Sequence, residues 1–117
     1  MDDAMSRTVL VVDDEPPVLD VTAAMLEDLG CEVVTAADAF EALAKLAANQ
    51  AIEILITDIN MPGMNGYELA ERTRQTREGL HVIVLSGRET DGRGFPIIRK
   101  PFLRQDLLRT MKRTTGV

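Results

Sequence analysis

Four apolar runs of the sequence end in polar side chains that can carry out phosphate chemistry. These side chains are Asp13, Asp14, Asp58, Ser86 and Lys100. An ionised aspartate can attack an activated phosphoryl group, and a lysine ammonium can neutralise charge on the transferring oxygens. A serine hydroxyl can donate a hydrogen bond to one of those oxygens. The residue types therefore favour phosphoryl transfer to an aspartate, provided that the fold brings the side chains together.

Asp58 is the candidate nucleophile. The run 52–57 is dense in isoleucine and leucine, which is typical of a strand buried on both faces of a parallel sheet. A Pro/Gly/Asn loop follows at once, so Asp58 is predicted at the carboxyl edge of the sheet, where open parallel sheets bind ligands. An aspartate before a Pro-Gly loop is also a common turn-starting residue. From this segment alone, both interpretations stand.

Strand-like apolar runs alternate with segments whose apolar residues recur three and four positions apart, as in amphipathic helices. Strands are predicted at 8–12, 31–36, 52–58, 81–85 and 97–99. Helices are predicted from the prolines at 16 and 17 to Gly30, over 39–49, from an Asn65 cap to about Arg77, and over a last segment marked by Leu103, Leu107, Leu108 and Met111. The inner face of the second helix is predicted to consist of Ala39, Ala42, Leu43, Leu46 and Ala47. The alternation predicts a parallel sheet with right-handed crossovers and helices on both faces.

This topology would gather the polar side chains at one rim, because the carboxyl ends of parallel strands share one edge. Clustered carboxylates repel one another and reduce stability unless something offsets the repulsion. Mg²⁺ prefers oxygen ligands, typically one or two carboxylates with waters and a phosphate. The predicted rim is therefore suited to phosphate together with Mg²⁺.

Composition narrows the classes of function. The chain has 117 residues, 45% of them hydrophobic, which is enough for one domain with a buried core. A net charge of −6 without a Lys/Arg-rich block argues against direct binding of nucleic acid. The lone Cys31 is predicted to be a small core residue rather than a reactive thiol. No export leader and no apolar run of about 18 residues is present, so we expect no membrane association and a cytoplasmic location.

Four motifs together resemble the receiver domain of two-component response regulators. They are Val-Val-Asp-Asp-Glu-Pro ending at Pro16, Asp-Ile-Asn-Met-Pro-Gly-Met-Asn-Gly ending at Gly66, Leu-Ser-Gly ending at Gly87, and Lys-Pro-Phe ending at Phe102. The resemblance covers nearly the whole chain. It implies an α/β fold, a three-layer doubly wound five-stranded parallel sheet in the flavodoxin-like order 2-1-3-4-5, with residues 1–117 forming a single receiver domain and no output domain.

The resemblance also implies a role for each motif residue. Asp58 would be the phosphoacceptor, and Asp13, Asp14 and Asp58 would hold Mg²⁺ with the backbone carbonyl of Asn60. Ser86 would be the hydroxyl residue that moves onto the phosphoryl group, and Lys100 the lysine that pairs with it. The Lys100-Pro101 bond is expected to be cis, as in the family. The phosphodonor would be a histidine kinase or a histidine phosphotransfer protein, and the protein would act as a signalling module rather than a turnover enzyme.

The chain departs from the family pattern in two places. Only 13 residues lie between Ser86 and Lys100, and the segment 87–96 contains three glycines and a proline. Since a parallel crossover normally needs a dozen or more residues with its helix, and glycine disfavours helix, the fourth helix should be missing or very short. The second departure is Ile97, which stands where the family usually places a tyrosine or phenylalanine. Phe95 is predicted to anchor the loop on the core instead.

These departures bear on signalling. The family reshapes the face made by its fourth helix, fifth strand and fifth helix, where partners and dimer mates bind. We therefore expect this chain not to form the common dimer, and any switch to be read through the loop 87–96. Short crossovers of this kind also resemble receivers joined to hybrid sensor kinases, so the sequence leaves open a free-standing regulator or an excised receiver.

Two other classes of protein use similar features. A Mg²⁺-dependent phosphohydrolase working through an aspartyl phosphate needs a second acid two residues after the nucleophile, and Asn60 occupies that place. A doubly wound nucleotide-binding domain needs a glycine-rich turn after the first strand, where this chain has Asp-Asp-Glu-Pro-Pro. Both alternatives are less favoured than the receiver.

Overall fold

A five-stranded parallel sheet forms the centre of the protein. The computed structural model describes residues 6–88 and 91–116. The strands are β1 (Thr8–Val12), β2 (Glu32–Ala36), β3 (Ile52–Asp58), β4 (His81–Ser86) and β5 (Ile97–Arg99). Their order in the sheet is β2-β1-β3-β4-β5, with every pair parallel. The predicted fold class and strand order are therefore confirmed.

β3 is the middle strand, as its apolar sequence predicts. It lies between β1 and β4, and Ile54, Leu55 and Ile56 are fully buried. The register places Val12 beside Thr57, and Asp58 beside Leu85. The carboxyl ends of three neighbouring strands are therefore level, and the residues that follow them meet at one rim.

Four helices cover the two faces of the sheet. They are α1 (Pro16–Asp28), α2 (Ala39–Ala48), α3 (Gly66–Thr76) and α4 (Arg104–Thr115). Helices α2 and α3 contribute to one apolar cluster with Leu10 and Leu55, while α1 and α4 contribute to a second cluster with Val9 and Ile54. None of the helices in the described ranges is long and apolar enough to cross a bilayer.

The helix starts agree with the capping signals in the sequence. The Asp38 side chain accepts a hydrogen bond from the Glu41 N–H at 2.8 Å. Asn65 and Glu68 form a reciprocal capping box at the start of α3. At α1, two prolines occupy the first positions, where a missing N–H removes no intrahelical hydrogen bond. Local chemistry thus fixes where these helices begin.

One predicted inner-face position of α2 is wrong. Ala47 is exposed, because it lies beside the buried stripe formed by Ala39, Ala42 and Leu46 rather than on it. Among the residues that mark the last helix, Leu103 is the extended residue before α4 and is 60% exposed, whereas Leu107 and Met111 are fully buried. Cys31 is buried, as predicted, one residue before β2.

The connection from β4 to β5 carries no helix in its described residues, 87–88 and 91–96. It turns where the Phe95 N–H donates to the Gly92 carbonyl at 2.9 Å, with positive φ angles at Arg93 and Gly94. Phe95 is buried in the core cluster on the α2/α3 side, as predicted for a loop anchor. The prediction of a missing fourth helix is confirmed for the described part of this loop.

Side chains of α3 hold this loop. The Tyr67 hydroxyl donates to the Asp91 carbonyl at 2.5 Å, and the Arg93 guanidinium lies 4.0 Å from the centre of the Tyr67 ring. Arg74 lies over the Phe95 ring at 4.8 Å. The loop therefore packs on the neighbouring helix instead of forming one of its own.

Arg77 ties three segments together at the amino edge of the sheet, away from the polar rim. Its guanidinium donates to the carbonyls of Asn49 and Ile52 at 2.9 Å each, and also to the carbonyl of Leu46. Carbonyls at a helix end have no partner within the helix. This one side chain therefore completes the hydrogen bonding where α2 ends and β3 begins.

Candidate functional site

The structure brings the predicted polar side chains together at the carboxyl rim. Carboxylate oxygens of Asp13, Asp14 and Asp58 all lie within 4.8 Å of one another. The Lys100 ammonium lies 3.0 Å from Asp58 Oδ1 and 3.3 Å from Asp13 Oδ2. Residues from three separate strand ends thus meet, although the first and the last of them, Asp13 and Lys100, are 87 positions apart in the sequence.

Asp13 is the fixed member of the acidic pair. Its side chain is buried, its Oδ1 accepts a hydrogen bond from the Glu15 N–H at 3.0 Å, and its Oδ2 faces Lys100. Asp14 is exposed at the rim. Glu15 is the residue before α1 and its side chain makes no capping hydrogen bond. The pair therefore offers one oriented carboxylate and one that faces solvent.

Asp58 ends β3 and is only 5% exposed. The start of α3 lies directly against its backbone, since the Gly66 N–H donates to the Ile59 carbonyl at 2.8 Å. A Cβ on Gly66 would overlap the Asp58 carbonyl oxygen and lie 2.8 Å from the Ile59 Cα. Only glycine fits this close approach. Gly66 ends the second of the four sequence motifs, but this contact could not be predicted from the sequence, because no local pattern indicates it.

Ser86 and Lys100 are joined through the backbone. The Lys100 N–H donates to the Ser86 carbonyl at 2.7 Å, and Ser86 is fully buried at the end of β4. The Lys100-Pro101 peptide bond is cis, as expected. Asn60 lies two residues beyond Asp58 and is exposed. The serine and the lysine are thus held on the β4/β5 side of Asp58, and the acidic pair on the β1 side.

The electrostatics of the cluster are unbalanced toward negative charge. Burial raises the pKa of Asp58, the Lys100 ammonium opposes that shift, and the charges of Asp13 and Asp14 add to it. Burial works against the charged form of Lys100, but Asp58 and Asp13 together outweigh it and raise its pKa. The lysine therefore stays charged, while ionisation of Asp58 remains costly.

The cluster fits a hard divalent cation. It offers three carboxylates, which are the hard oxygen donors that Mg²⁺ prefers. Burial is the main cause of the raised pKa of Asp58 and repulsion by Asp13 and Asp14 is a smaller one, and a bound cation offsets both because it favours the ionised carboxylate. One of the three carboxylates faces solvent, so part of the coordination shell is left to water or phosphate oxygens. The residues present are therefore compatible with Mg²⁺.

An apolar groove of about 500 Å³ adjoins the cluster. It lies between α1 and the segment after β5, and its lining includes Val18, Val21, Met25, Phe102 and Lys100. Val21 is 54% exposed and gives the groove an accessible apolar side chain beside the charged site. Lys100 belongs both to the groove and to the carboxylate cluster.

The comparisons with known proteins agree on one family. The family model for the response regulator receiver domain matches residues 9–112. The virulence sensor protein BvgS of Bordetella bronchiseptica is 51% identical over 70 residues, which are 60% of this chain and 6% of that protein. The chain therefore spans a small part of the length of this relative.

Solved receiver structures superpose over nearly the whole chain. The receiver domain from the hybrid histidine kinase CckA is 35% identical, with a TM-score of 0.81 over 92% of this chain and 98% of that chain. The response regulator protein TrrA of Thermotoga maritima, solved in complex with Mg(2+)-BeF, is 28% identical, with a TM-score of 0.84 over 92% of this chain and 98% of that chain. Since the family model covers most of the sequence and the sheet order is that of the solved receivers, the chain belongs to the response regulator receiver domain family of two-component systems.

Proposed function

We propose that Asp58 is the phosphoacceptor of this receiver. The observation that carries the proposal is the direct contact of its carboxylate with Lys100, at 3.0 Å, inside a cluster with Asp13 and Asp14. The donor is a phosphorylated histidine of a histidine kinase or a phosphotransfer protein. This choice is supported by the likeness to the receiver of the hybrid histidine kinase CckA.

The transfer replaces one bond to phosphorus by another. A carboxylate oxygen of Asp58 forms the new P–O bond while the P–N bond of the phosphohistidine breaks. The electron pair of that bond stays on the imidazole nitrogen, and the other ring nitrogen keeps its proton, so a neutral imidazole leaves. No oxidant, reductant or additional proton donor is needed. The chain has to supply an ionised, oriented Asp58 and positive charge near the phosphoryl oxygens.

Each neighbouring residue has a role in this proposal. The Lys100 ammonium holds Asp58 in its ionised form and then pairs with a phosphoryl oxygen. The Ser86 hydroxyl, at the end of β4, donates to another of these oxygens. Asp13, Asp14 and Asp58, with the backbone carbonyl of Asn60, would hold Mg²⁺, which when bound neutralises charge on the phosphoryl oxygens. The TrrA structure with Mg(2+)-BeF supports this assignment by similarity.

We assign the apolar groove between α1 and Phe102 to the docking of the donor protein. The support is continuity, because Lys100 lines the groove and also contacts Asp58. An apolar surface on the donor would cover Val21 and Met25 and bring its histidine to the rim. A small phosphodonor such as acetyl phosphate does not need this surface.

Turnover is not part of the proposal. A phosphohydrolase needs an acid at the position of Asn60 to protonate its leaving group, and an amide has no acidic proton to give. The chain would therefore hold its phosphoryl group and pass on a change of conformation. That residues 1–117 carry no output domain stays a prediction.

Phosphorylation by a small donor tests the assignment of Asp58. Incubation with Mg²⁺ and acetyl phosphate should add one phosphoryl mass that hydroxylamine removes. Asp58→Asn should gain none, whereas Asp20→Asn, which changes an exposed aspartate of α1, should be phosphorylated like the unaltered protein. A labile phosphoryl group on the Asp58→Asn protein would show that another carboxylate is the acceptor.

A second comparison separates docking from chemistry. Val21→Glu should slow transfer from a phosphorylated sensor-kinase core by about tenfold or more and leave phosphorylation by acetyl phosphate unchanged. The matched control is Phe40→Glu, which alters an equally exposed apolar residue on α2. Equal slowing by both variants would exclude the groove as the docking surface.

A further inference from the structure

The charges of this protein are distributed very unevenly. Residues 88–117 contain eight of the 13 Lys and Arg residues but only three of the 19 Asp and Glu residues. A chain with a net charge of −6 thus has one strongly basic part. Much of this charge lies on β5 and α4, the last strand and helix of the fold. One of the eight, Lys100, contacts Asp13 and Asp58 in the phosphoacceptor cluster.

Three of these arginines line one groove. A cavity of about 330 Å³ runs along β5 beside α4 and is lined by Ile97, Arg99, Arg109, Thr110 and Arg113, among others. Arg109 pairs with Asp106 at 2.7 Å. In the described part of the chain, Arg99 and Arg113 have no carboxylate within 4.0 Å.

Asp106 does not neutralise the groove. One of its oxygens is taken by Arg109, and the other accepts the Leu103 N–H at 2.8 Å, where it caps α4. It therefore belongs to the helix start. As far as the described residues go, two arginines of the groove remain available for an anionic partner.

The open edge of the sheet lies along the same groove. β5 is the last strand in the order and pairs only with β4. The Pro96 carbonyl and the Lys100 N–H bond to β4, at 2.9 and 2.7 Å. Since a strand directs alternate residues to alternate neighbours, the backbone groups of Ile97 and Arg99 point away from β4. Within the described residues, no backbone hydrogen bond outside the sheet engages these groups, so they offer donors and acceptors beside the arginines.

We propose that this edge binds an extended, acidic segment of a partner protein. The segment would add beside β5 as a further strand, with backbone hydrogen bonds to Ile97 and Arg99. Its carboxylates would pair with Arg99 and Arg113, because a guanidinium matches a carboxylate with two parallel hydrogen bonds. The short crossover leaves the edge accessible, since no helix covers it in the described residues. The proposal does not depend on the phosphoacceptor role of Asp58.

Charged side chains on an edge strand can instead protect the sheet from unwanted pairing. Short edge strands with charged side chains discourage the pairing of one sheet with another. If that were the whole role of Arg99, no acidic strand would bind here. The experiment is designed to separate these two outcomes.

The test is a titration of the ¹⁵N-labelled, unphosphorylated protein with a capped heptapeptide of alternating glutamate and valine. The amide resonances of Ile97 and Arg99 should shift and become protected from exchange, while that of Ile98, which faces β4, should change little. Arg113→Gln should weaken binding by about tenfold or more. Arg104→Gln should change affinity less than about twofold, since it removes the same charge from α4 at a residue that pairs with Asp28 outside the groove.

Two further probes complete the test. A peptide with N-methylated backbone nitrogens should lose binding, because it cannot pair as a strand. Four results would overturn the proposal: no saturable binding of the acidic peptide, equal weakening by Arg104→Gln and Arg113→Gln, full binding of the methylated peptide, or tighter binding of a charge-matched DNA duplex at the same amides. The dispersion of the amide spectrum shows whether each variant is folded.

Discussion

Asp58 combines two requirements that oppose each other. As the proposed phosphoacceptor it has to be ionised, but burial raises its pKa above the ordinary value, and the nearby Asp13 and Asp14 add to that shift. The native state therefore binds a proton at Asp58 more tightly than the unfolded chain does. Stability falls as pH rises from the ordinary aspartate pKa through the raised one, because ionisation is then favoured in the unfolded state.

Asp58→Asn should therefore stabilise the metal-free protein at neutral pH, by about 1 kcal/mol in the free energy of unfolding. The gain should disappear when the pH falls below the ordinary aspartate range, because Asp58 is then protonated in both states. Urea unfolding between pH 3 and 8, in the presence of EDTA, measures this difference.

Two additions make the result specific. Mg²⁺ should reduce the advantage of the variant, since a cation that binds the native cluster stabilises the unaltered protein by mass action. Asp20→Asn, at an exposed site, should show neither effect. A loss of stability in Asp58→Asn at neutral pH without metal would contradict the charge balance described for this cluster.

The first residue of α3, Gly66, lies directly against the backbone of Asp58. Gly66→Ala would place a methyl group against the Asp58 carbonyl oxygen, so the backbone of β3 or α3 has to move. We expect a loss of about 1–3 kcal/mol, the usual range for overpacking, together with slower phosphorylation. Gly87→Ala is the control for stability, since a Cβ there meets nothing within 4 Å. Unchanged stability in Gly66→Ala would show that the close approach is not enforced.

One hydroxyl of α3 donates a hydrogen bond to the backbone of the loop between β4 and β5. Tyr67→Phe removes this bond to the Asp91 carbonyl but keeps the ring under Arg93. We expect faster amide exchange in the described residues of the loop and a global loss of about 0.5–1.5 kcal/mol. Thr76→Val, which removes a hydroxyl bonded to a helix carbonyl, should leave loop exchange unchanged. Equal exchange in Tyr67→Phe would mean that the hydrogen bond does not hold the loop.

The elements that the sequence predicted well are those with local causes. The helices begin where Asp38, Asn65 and the two prolines act on residues at most three positions away. The strands follow from the apolar runs. Gly66 and Tyr67 could not be predicted in this way, because their contacts involve residues seven or more positions away. Leu103 fits the spacing of the last helix, but the helix begins only at the next residue, Arg104.

The connection between β4 and β5, which has no helix in its described residues, changes how copies of the protein can associate. The common dimer of the family uses the face of its fourth helix, fifth strand and fifth helix. Here the described residues between β4 and β5 form no helix, so a loop stands in place of one of these three elements. We expect the protein with beryllofluoride and Mg²⁺ not to dimerise through this face. Small-angle scattering before and after activation measures this, and an activation-dependent dimer that Arg109→Glu abolishes would contradict it.

The topology explains why the carboxylate cluster could be predicted at all. Parallel strands place every carboxyl end on one edge, so four motifs that are far apart in sequence had to meet. The sequence could not predict the distances, the burial or the direction of each pKa shift in the cluster. These depend on how closely β5 and the turn before Pro101 place Lys100 to Asp58.

Arg77 holds the opposite end of the sheet through hydrogen bonds to three backbone carbonyls, which carry no ionisable group. Acidification protonates Asp58, whose pKa is raised by burial, but it removes no charged partner from Arg77. We therefore expect mild acid to stop phosphorylation of Asp58 at a pH where the protein is still folded. Phosphorylation should resume as soon as the solution is neutralised.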